Sequence, residues 1–248
     1  MRRARIIPCL LISGNDLVKT RQFKERVYIG DPVNAVRIFS EKEVDEVVIL
    51  DIDASRDGNE PNYRLVEEMA GEAFMPMAYG GGVRNIMQVR RLIRAGVEKV
   101  VINTAAVESE AVVREAALEF GSQAVVVGID VRRSMFGRAR VMIRSGTVEV
   151  TRSAEEHARQ LVAIGAGEIL LSSIDRDGMM KGYDLPLLQS VTKAVTVPVV
   201  ACGGAGTAEH LREAVRDGGA SAVAAGSMFV FHGKHRAVLI NYPTGLAI

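Results

Sequence analysis

Short apolar runs alternate with stretches of helical periodicity along the whole chain. Apolar runs of about four to eight residues between turn formers read as strands. Apolar residues recurring three and four positions apart read as helices. The pattern predicts strands near 5–12, 46–52, 75–79, 98–103, 123–130, 168–173, 197–202 and 220–225. It predicts helices near 31–43, 61–73, 85–95, 109–120, 153–165, 184–195, 207–217 and 233–241. Several strands are apolar at successive positions, as strands are when helices cover the sheet.

The second half of the chain repeats the first at an offset of about 120 residues. Val44-Asp45-Glu46-Val47-Val48-Ile49-Leu50-Asp51 aligns with Ala166-Gly167-Glu168-Ile169-Leu170-Leu171-Ser172-Ser173. Arg56-Asp57-Gly58 follows the first segment and Arg176-Asp177-Gly178 the second. Gly80-Gly81-Gly82 aligns with Gly203-Gly204-Ala205, and Arg94-Ala95-Gly96 with Asp217-Gly218-Gly219. A doubly wound sheet would also alternate strand and helix. Strand–helix units in an internal duplication favour an α/β (β/α)8 TIM barrel closed from two half-barrels, about 1–120 and 121–248. No linker breaks 1–248, so a single domain is expected. Two insertions stand out. Residues 13–30 hold Lys19, Arg21, Lys24 and Arg26, and residues 131–152 read as a hairpin with Ser145-Gly146 at its turn. Both follow strand C-termini, where barrel active sites are built.

The length of 248 residues suits one such barrel. A net charge of +1 makes no electrostatic case for nucleic acid or an anionic membrane. Cys9 and Cys202 lie inside apolar segments and read as packing, which favours a reduced, cytoplasmic setting over a disulfide scaffold. The basic start, Met1-Arg2-Arg3-Ala4-Arg5, is followed by an apolar run that breaks at Ser13-Gly14-Asn15-Asp16, too soon for a secretory signal. No run approaches the ~20 apolar residues of a membrane span. His157, His210, His232 and His235 lack metal-ligand spacing, so neither metal nor cofactor is expected.

The chemistry is expected where strands end. Asp51 ends the second strand, Gly80-Gly81-Gly82 follows the third, Asn103-Thr104 ends the fourth and Asp130 the fifth. Asp175, Asp177 and Gly178 follow the sixth, Gly203-Gly204 the seventh and Gly226-Ser227 the eighth. Glycine-rich turns that enter helices expose backbone N–H groups to anions. Two such turns in equivalent places imply two anion sites on opposite sides of one mouth: Gly82, Asn103 and Thr104 at one, Asp177, Gly178, Gly204, Gly226 and Ser227 at the other. At the opposite end, Arg5, Glu46, Lys99 and Glu168 stand at the starts of strands one, two, four and six. Such residues are expected to form a ring of two cations and two anions that closes a passage along the barrel axis. Asp45 and Glu98 are expected on the same face.

These residues resemble the cyclase subunit of imidazole glycerol phosphate synthase. The resemblance runs from Arg5 to about residue 230. It is carried by Arg5-Ile6-Ile7-Pro8-Cys9-Leu10, Gly30-Asp31-Pro32, Tyr79-Gly80-Gly81-Gly82-Val83-Arg84, Phe120-Gly121-Ser122-Gln123, Asp175-Arg176-Asp177-Gly178 and Gly203-Gly204-Ala205-Gly206. It implies a phosphorylated substrate, a catalytic Asp130 and a substrate-contacting Lys19. It also implies a glutaminase subunit docked beside Asp45 and Glu98, whose ammonia enters between Arg5, Glu46, Lys99 and Glu168.

One position departs from the family. Its first strand ends Pro-Cys-Leu-Asp, and that aspartate works with the one on strand five. Here the strand reads Pro8-Cys9-Leu10-Leu11 while Asp130 remains. Proton transfer during ring closure uses paired carboxylates, and leucine can neither accept nor donate. Asp51 and Asp177 remain at the mouth, but neither occupies the strand-one end. The ending Phe231-His232-Gly233-Lys234-His235-Arg236-Ala237-Val238-Leu239-Ile240-Asn241-Tyr242-Pro243 is also unlike the usual cyclase. Both features resemble a divergent branch associated with acetamidino modification of surface-polysaccharide sugars, including lipopolysaccharide. In that branch a separate amidotransferase or ligase installs the nitrogen. Two alternatives stand beside it: a true cyclase, a lyase of histidine biosynthesis, and an Amadori-type aldose–ketose isomerase. The isomerase needs both carboxylates and has no use for the charged ring.

Overall fold

The computed structural model describes residues 3–233, 235–243, 246 and 248. Eight parallel strands form its wall: β1 Arg5–Ser13, β2 Val47–Asp51, β3 Met77–Gly80, β4 Lys99–Ile102, β5 Val125–Arg133, β6 Glu168–Ser173, β7 Val199–Cys202 and β8 Ala222–Ala225. β1 pairs with β8 on one side and β2 on the other, and β5 pairs with β6, so the sheet closes. This is the (β/α)8 barrel expected from the alternation.

Among the described residues, seven helices of eight residues or more pack outside: α1 Pro32–Glu41, α2 Tyr63–Glu72, α3 Ile86–Arg94, α4 Ala111–Phe120, α5 Ala154–Ala163, α6 Leu185–Thr192 and α7 Ala208–Arg216. Most begin where a side chain accepts a hydrogen bond from the first turn. Asp31, Asn62, Asn85, Asp184 and Thr207 serve so, and Ser153 forms a reciprocal capping box with Glu156. The duplication survives in backbone detail. Gly81 and Gly204 are equivalent, and both have φ +119. A Cβ on Gly81 would lie 2.5 Å from the Asp51 carbonyl oxygen, and one on Gly204 would lie 2.2 Å from that of Gly182. Only glycine fits either turn.

The apolar side chains divide by strand parity. One set, including Ile6, Ile49, Tyr79 and Val127, packs outward against the helices. The other, including Ile7, Cys9, Leu11, Val48, Ala78 and Val101, fills the barrel interior. Two four-to-five-residue helices not expected from periodicity, Ala54–Asp57 and Thr104–Glu108, follow β2 and β4.

Three regions differ from expectation. The segment 13–30 is itself structured. Strand Asp16–Lys19 pairs antiparallel with β1 and with Val27–Gly30, extending the sheet past the mouth. The hairpin after β5 carries two turns, Ser134–Arg138 and Arg144–Thr147, with Ala139–Ile143 between and Val148–Val150 after. Ser145-Gly146 stands in the second, where Arg144, Ser145 and Gly146 all have positive φ. The helix expected over 233–241 does not form. After a single turn, Ser227–Val230, Phe231–His232 pairs antiparallel with Ala237–Val238. An extended tail then runs back along the barrel; Asn241 donates to the Phe229 carbonyl and Tyr242 stacks 5.1 Å from Phe229. Gly233 breaks the helical period, and Phe229 and Val230 anchor the chain too early for another turn. Lys234 lies outside the described residues, as do Met1 and Arg2 of the basic start.

Candidate active site and charged base

Inward parity places Arg5, Lys99 and Glu168 at the first positions of β1, β4 and β6, and Glu46 just before β2. Their side chains converge at the N-terminal end of the barrel. Arg5 pairs with both Glu46 and Glu168. Lys99 Nζ also pairs with both, at 2.9 Å each. Each acid therefore bridges both cations in a closed cycle. The carboxylates are nearly buried, with side-chain exposures of 5% and 7%. Burial alone would lower the Arg5 pKa, but bonds and charge from Glu168 and Glu46 outweigh it and raise the value. Asp45 lies beside the ring and accepts from the Ile6 N–H at 2.9 Å, while Glu98 is exposed just before β4.

At the other end a cavity of about 220 Å³ opens among the strand C-termini. Its wall includes Gly82, Asn103, Thr104, Asp130, Asp177, Gly178, Gly204, Gly226, Ser227 and Lys19. The sequence-predicted mouth residues thus line one cavity. Its two sides differ in character. Leu11, Leu50 and Ile52 make an apolar side, with Leu11 only 6% exposed and paired in register with Leu50. Asn103, Asp130, Ser172 and Asp177 make a polar side.

Asp130 is the titratable centre of that side. Burial pushes its pKa up to about 7, and the nearby Asp177 charge adds to this. Hydrogen bonding from Ser172 and Asn103 opposes the rise; Asn103 Nδ2 donates to Asp130 Oδ2 at 3.0 Å. A carboxyl poised near neutrality can take and return a proton. The two other mouth aspartates, Asp51 and Asp177, are also raised in pKa by burial, and each is anchored through one carboxylate oxygen. Asp51 accepts from the N–H groups of Asp53 and Ala54, at 3.0 and 2.9 Å. Asp177 accepts from the Thr20 hydroxyl at 2.6 Å and the Phe23 N–H at 3.2 Å.

Lys19 is buried, and its Nζ donates to the Cys9 carbonyl at 2.6 Å. It occupies the space a Cβ on Gly226 would need, 1.9 Å from that position. Cys9 lies in the interior cluster and Cys202 packs against it, and both also border the floor of the cavity.

Several participants were not read from the sequence. The Ser173 hydroxyl is buried on the cavity wall without a hydrogen-bond partner among the described residues, as is Oδ1 of the expected Asn103. Ser172 shares inward parity with Glu168, so strand alternation held the signal for it. The hairpin turn gave no such signal. Its Arg144 N–H donates to the Thr104 hydroxyl at 3.0 Å, and Ser145 Oγ donates to the Ile52 carbonyl at 2.7 Å. Arg26 clasps the first loop to the neighbouring rim after β2, bonding Asp53 through two nitrogens at 2.9 and 2.6 Å.

A family model described as histidine biosynthesis protein matches residues 5–236. A protein of Pseudomonas aeruginosa, provisionally named imidazole glycerol phosphate synthase subunit hisF2, is 54% identical over 243 residues. That alignment covers 98% of this chain and 97% of that protein. The chain belongs to the HisF-like cyclase family. A Leptospira borgpetersenii protein, provisionally named as the HisF subunit of the same synthase, is 47% identical over 246 residues, covering 99% and 97% of the two chains. A Vibrio vulnificus protein, provisionally named subunit hisF3, is 45% identical over 245 residues, covering 98% and 94%. Among the described residues of this HisF-like chain, no helix is long and apolar enough to cross a membrane. No group of three or more His, Cys, Asp or Glu side chains among them is arranged to hold a metal ion.

Proposed function

We propose that this chain is the ammonia-conducting barrel of a glutamine amidotransferase pair, with a mouth no longer equipped for ordinary cyclase turnover. The observation that carries this reading is the pairing of an intact charged base with a leucine at the end of β1. Buried charge pairs are weak evidence for stability, so four converging charges call for another reason. A closed cycle of ion pairs excludes bulk water, yet one displaced side chain opens it to a small neutral molecule. Above it the interior is lined by Ile7, Val48, Ala78 and Val126. Such a lining passes neutral ammonia and rejects ammonium, whose charge would be stripped of water.

The partner in this reading is a glutaminase seated on the ring face beside Asp45 and Glu98, and activated by docking. The ammonia leaves through the mouth to a separate amidotransferase or ligase that builds the amidino group of a surface-polysaccharide sugar. That end use rests on Leu11 and on the ending of the chain. Gly82, Asn103 and Thr104 would hold one phosphate of a small molecule at the mouth; Asp177, Gly178, Gly204, Gly226 and Ser227 would hold another.

A second reading, the cyclase of imidazole glycerol phosphate synthase, is favoured by the near-neutral pKa of Asp130, by Lys19 in the same cavity, and by the names of the relatives. One experiment separates the two. The purified protein is given ammonium and the bisphosphorylated ribonucleotide substrate of the cyclase. The conduit reading expects turnover about 10²–10⁴-fold below an ordinary cyclase, the usual cost of a missing acid–base group. Ordinary turnover would establish the second reading instead. Sulfate or phosphate titrated into the protein should occupy both glycine turns in either case.

A further inference from the structure

The hairpin after β5 ends in a turn that does not serve the cavity. Ser134 donates its N–H to Arg138 and Gly137 donates to Ser134, at 2.8 and 2.9 Å, so the turn is ordered. The Gly137 carbonyl accepts from Arg133 Nη1 at 2.9 Å, which braces the turn against the stem. The two side chains at its tip are nevertheless bare: Met135 is 100% exposed and Phe136 is 92% exposed. Residues 131–144 hold five arginines and no acidic residue, in a chain whose net charge is only +1. Arg133, Arg140 and Arg144 pair with Asp184, Glu149 and Glu108. Arg132 and Arg138 have no carboxylate partner among the described residues.

We propose that this hairpin tip docks an acidic protein surface at the mouth of the barrel, and that its occupant is the enzyme that consumes the ammonia. Methionine, aromatic residues and arginine are the side chains enriched in protein interfaces. A Phe and a Met held on a braced turn lose little conformational freedom on binding. The unpaired arginines supply charge complementarity and steer the encounter. Two apolar side chains are too few for a stable membrane anchor, so a protein is the better occupant. Position selects which protein. The same hairpin follows the C-terminal end of β5 and carries Ser145 and Thr147 into the cavity wall, so a partner on the tip engages the mouth end of the barrel, the end at which the ammonia leaves. With Leu11 in place of a carboxylate, the ammonia arriving there needs an acceptor on another chain. This assignment rests on the conduit reading above.

The test places benzoylphenylalanine at Phe136, and separately at Glu98, in the full-length protein in the cell that makes it. Light should join position 136 to a protein that mass spectrometry identifies as an ammonia-consuming amidotransferase or ligase. Position 98 should join to the glutaminase. With the captured enzyme purified, the double variant Met135→Ser/Phe136→Ser should bind it at least roughly tenfold more weakly. Arg138→Glu should weaken binding and flatten its salt dependence. Both variants should leave glutamine hydrolysis by the docked glutaminase unchanged. Capture at 136 of the glutaminase, of lipid or of nucleic acid, no capture there, or double-variant binding within twofold of wild type would overturn the proposal. If position 98 captures no glutaminase and hydrolysis is not stimulated, the conduit reading fails by itself, whatever the tip binds.

Discussion

Lys99 and Glu168 meet at 2.9 Å across the base of the barrel, joining the first residue of β4 to the first residue of β6. The same ammonium holds Glu46 at 2.9 Å. In Lys99→Ala, Arg5 alone must neutralise two nearly buried carboxylates. Breaking a buried pair costs about 3–5 kcal/mol when nothing compensates. Lys99 is partly exposed and Arg5 remains, so a loss nearer about 1–2 kcal/mol is expected in a denaturant midpoint. The fold and partner binding should persist. The ratio of glutamine hydrolysed to ammonia incorporated should rise well above one. A ratio unchanged from wild type would remove the gating role.

Leu11 bounds the apolar side of the cavity, so Leu11→Asp introduces a carboxylate where Leu50 and Val18 are its neighbours. Stability should fall by about 2–4 kcal/mol through lost packing and an added polar group. Against that cost, ammonium-dependent turnover of the cyclase substrate should rise at least tenfold, because Asp130 regains an acid–base partner. Steady-state rates on the purified variant decide it. A flat rate would mean that other parts of the site have also diverged.

Asp130 makes stability depend on pH in an unusual direction for an aspartate. Its folded pKa lies above its ordinary value of 3.8, at about 7, so the fold favours the protonated form. Its contribution is fully present below about pH 4 and is lost as pH rises towards 7, at up to about 1.4 kcal/mol per unit. Buried His157 acts oppositely. Burial lowers its pKa from 6.5 to about 4, so its cost grows as pH falls through that window. Comparison of Asp130→Asn with wild type isolates the aspartate. The variant should match wild type near pH 4 and become progressively more stable up to pH 7, with no further gain above. Denaturant midpoints across this range measure it; a constant difference would contradict a raised pKa.

The first loop is held at both ends, by Thr20 and Phe23 on Asp177 and by Arg26 on Asp53. Arg26 is exposed, so Arg26→Ala should change global stability by less than about 1 kcal/mol. The loop should loosen locally. Faster amide exchange and proteolysis confined to residues 20–26 are expected, with weaker phosphate binding at the Gly178 turn. Unchanged exchange there would show that the Asp177 end suffices.

The period of the apolar residues and the repeat determined the barrel, because strand parity and helical spacing are properties of neighbouring positions. The same parity determined that Arg5, Lys99 and Glu168 face inward, since a residue that begins an inner strand has only two directions to point. The glycines at Gly81 and Gly204 likewise marked turns where a side chain has no room. What the tertiary structure decided depends on segments far apart in the chain. The pKa of Asp130 follows from burial, Asn103 and Asp177 together, and no local pattern encodes their distance. The same holds for the commitment of Asp51 and Asp177 to backbone groups, and for the hairpin turn resting on Thr104 and Ile52. The tail shows the limit most directly. Residues 233–241 carry enough helical periodicity to predict a helix, but Phe229 and Tyr242 bury against each other and Phe231–His232 pairs with Ala237–Val238 instead. Packing against the finished barrel overrides a helix too short to hold itself together in water.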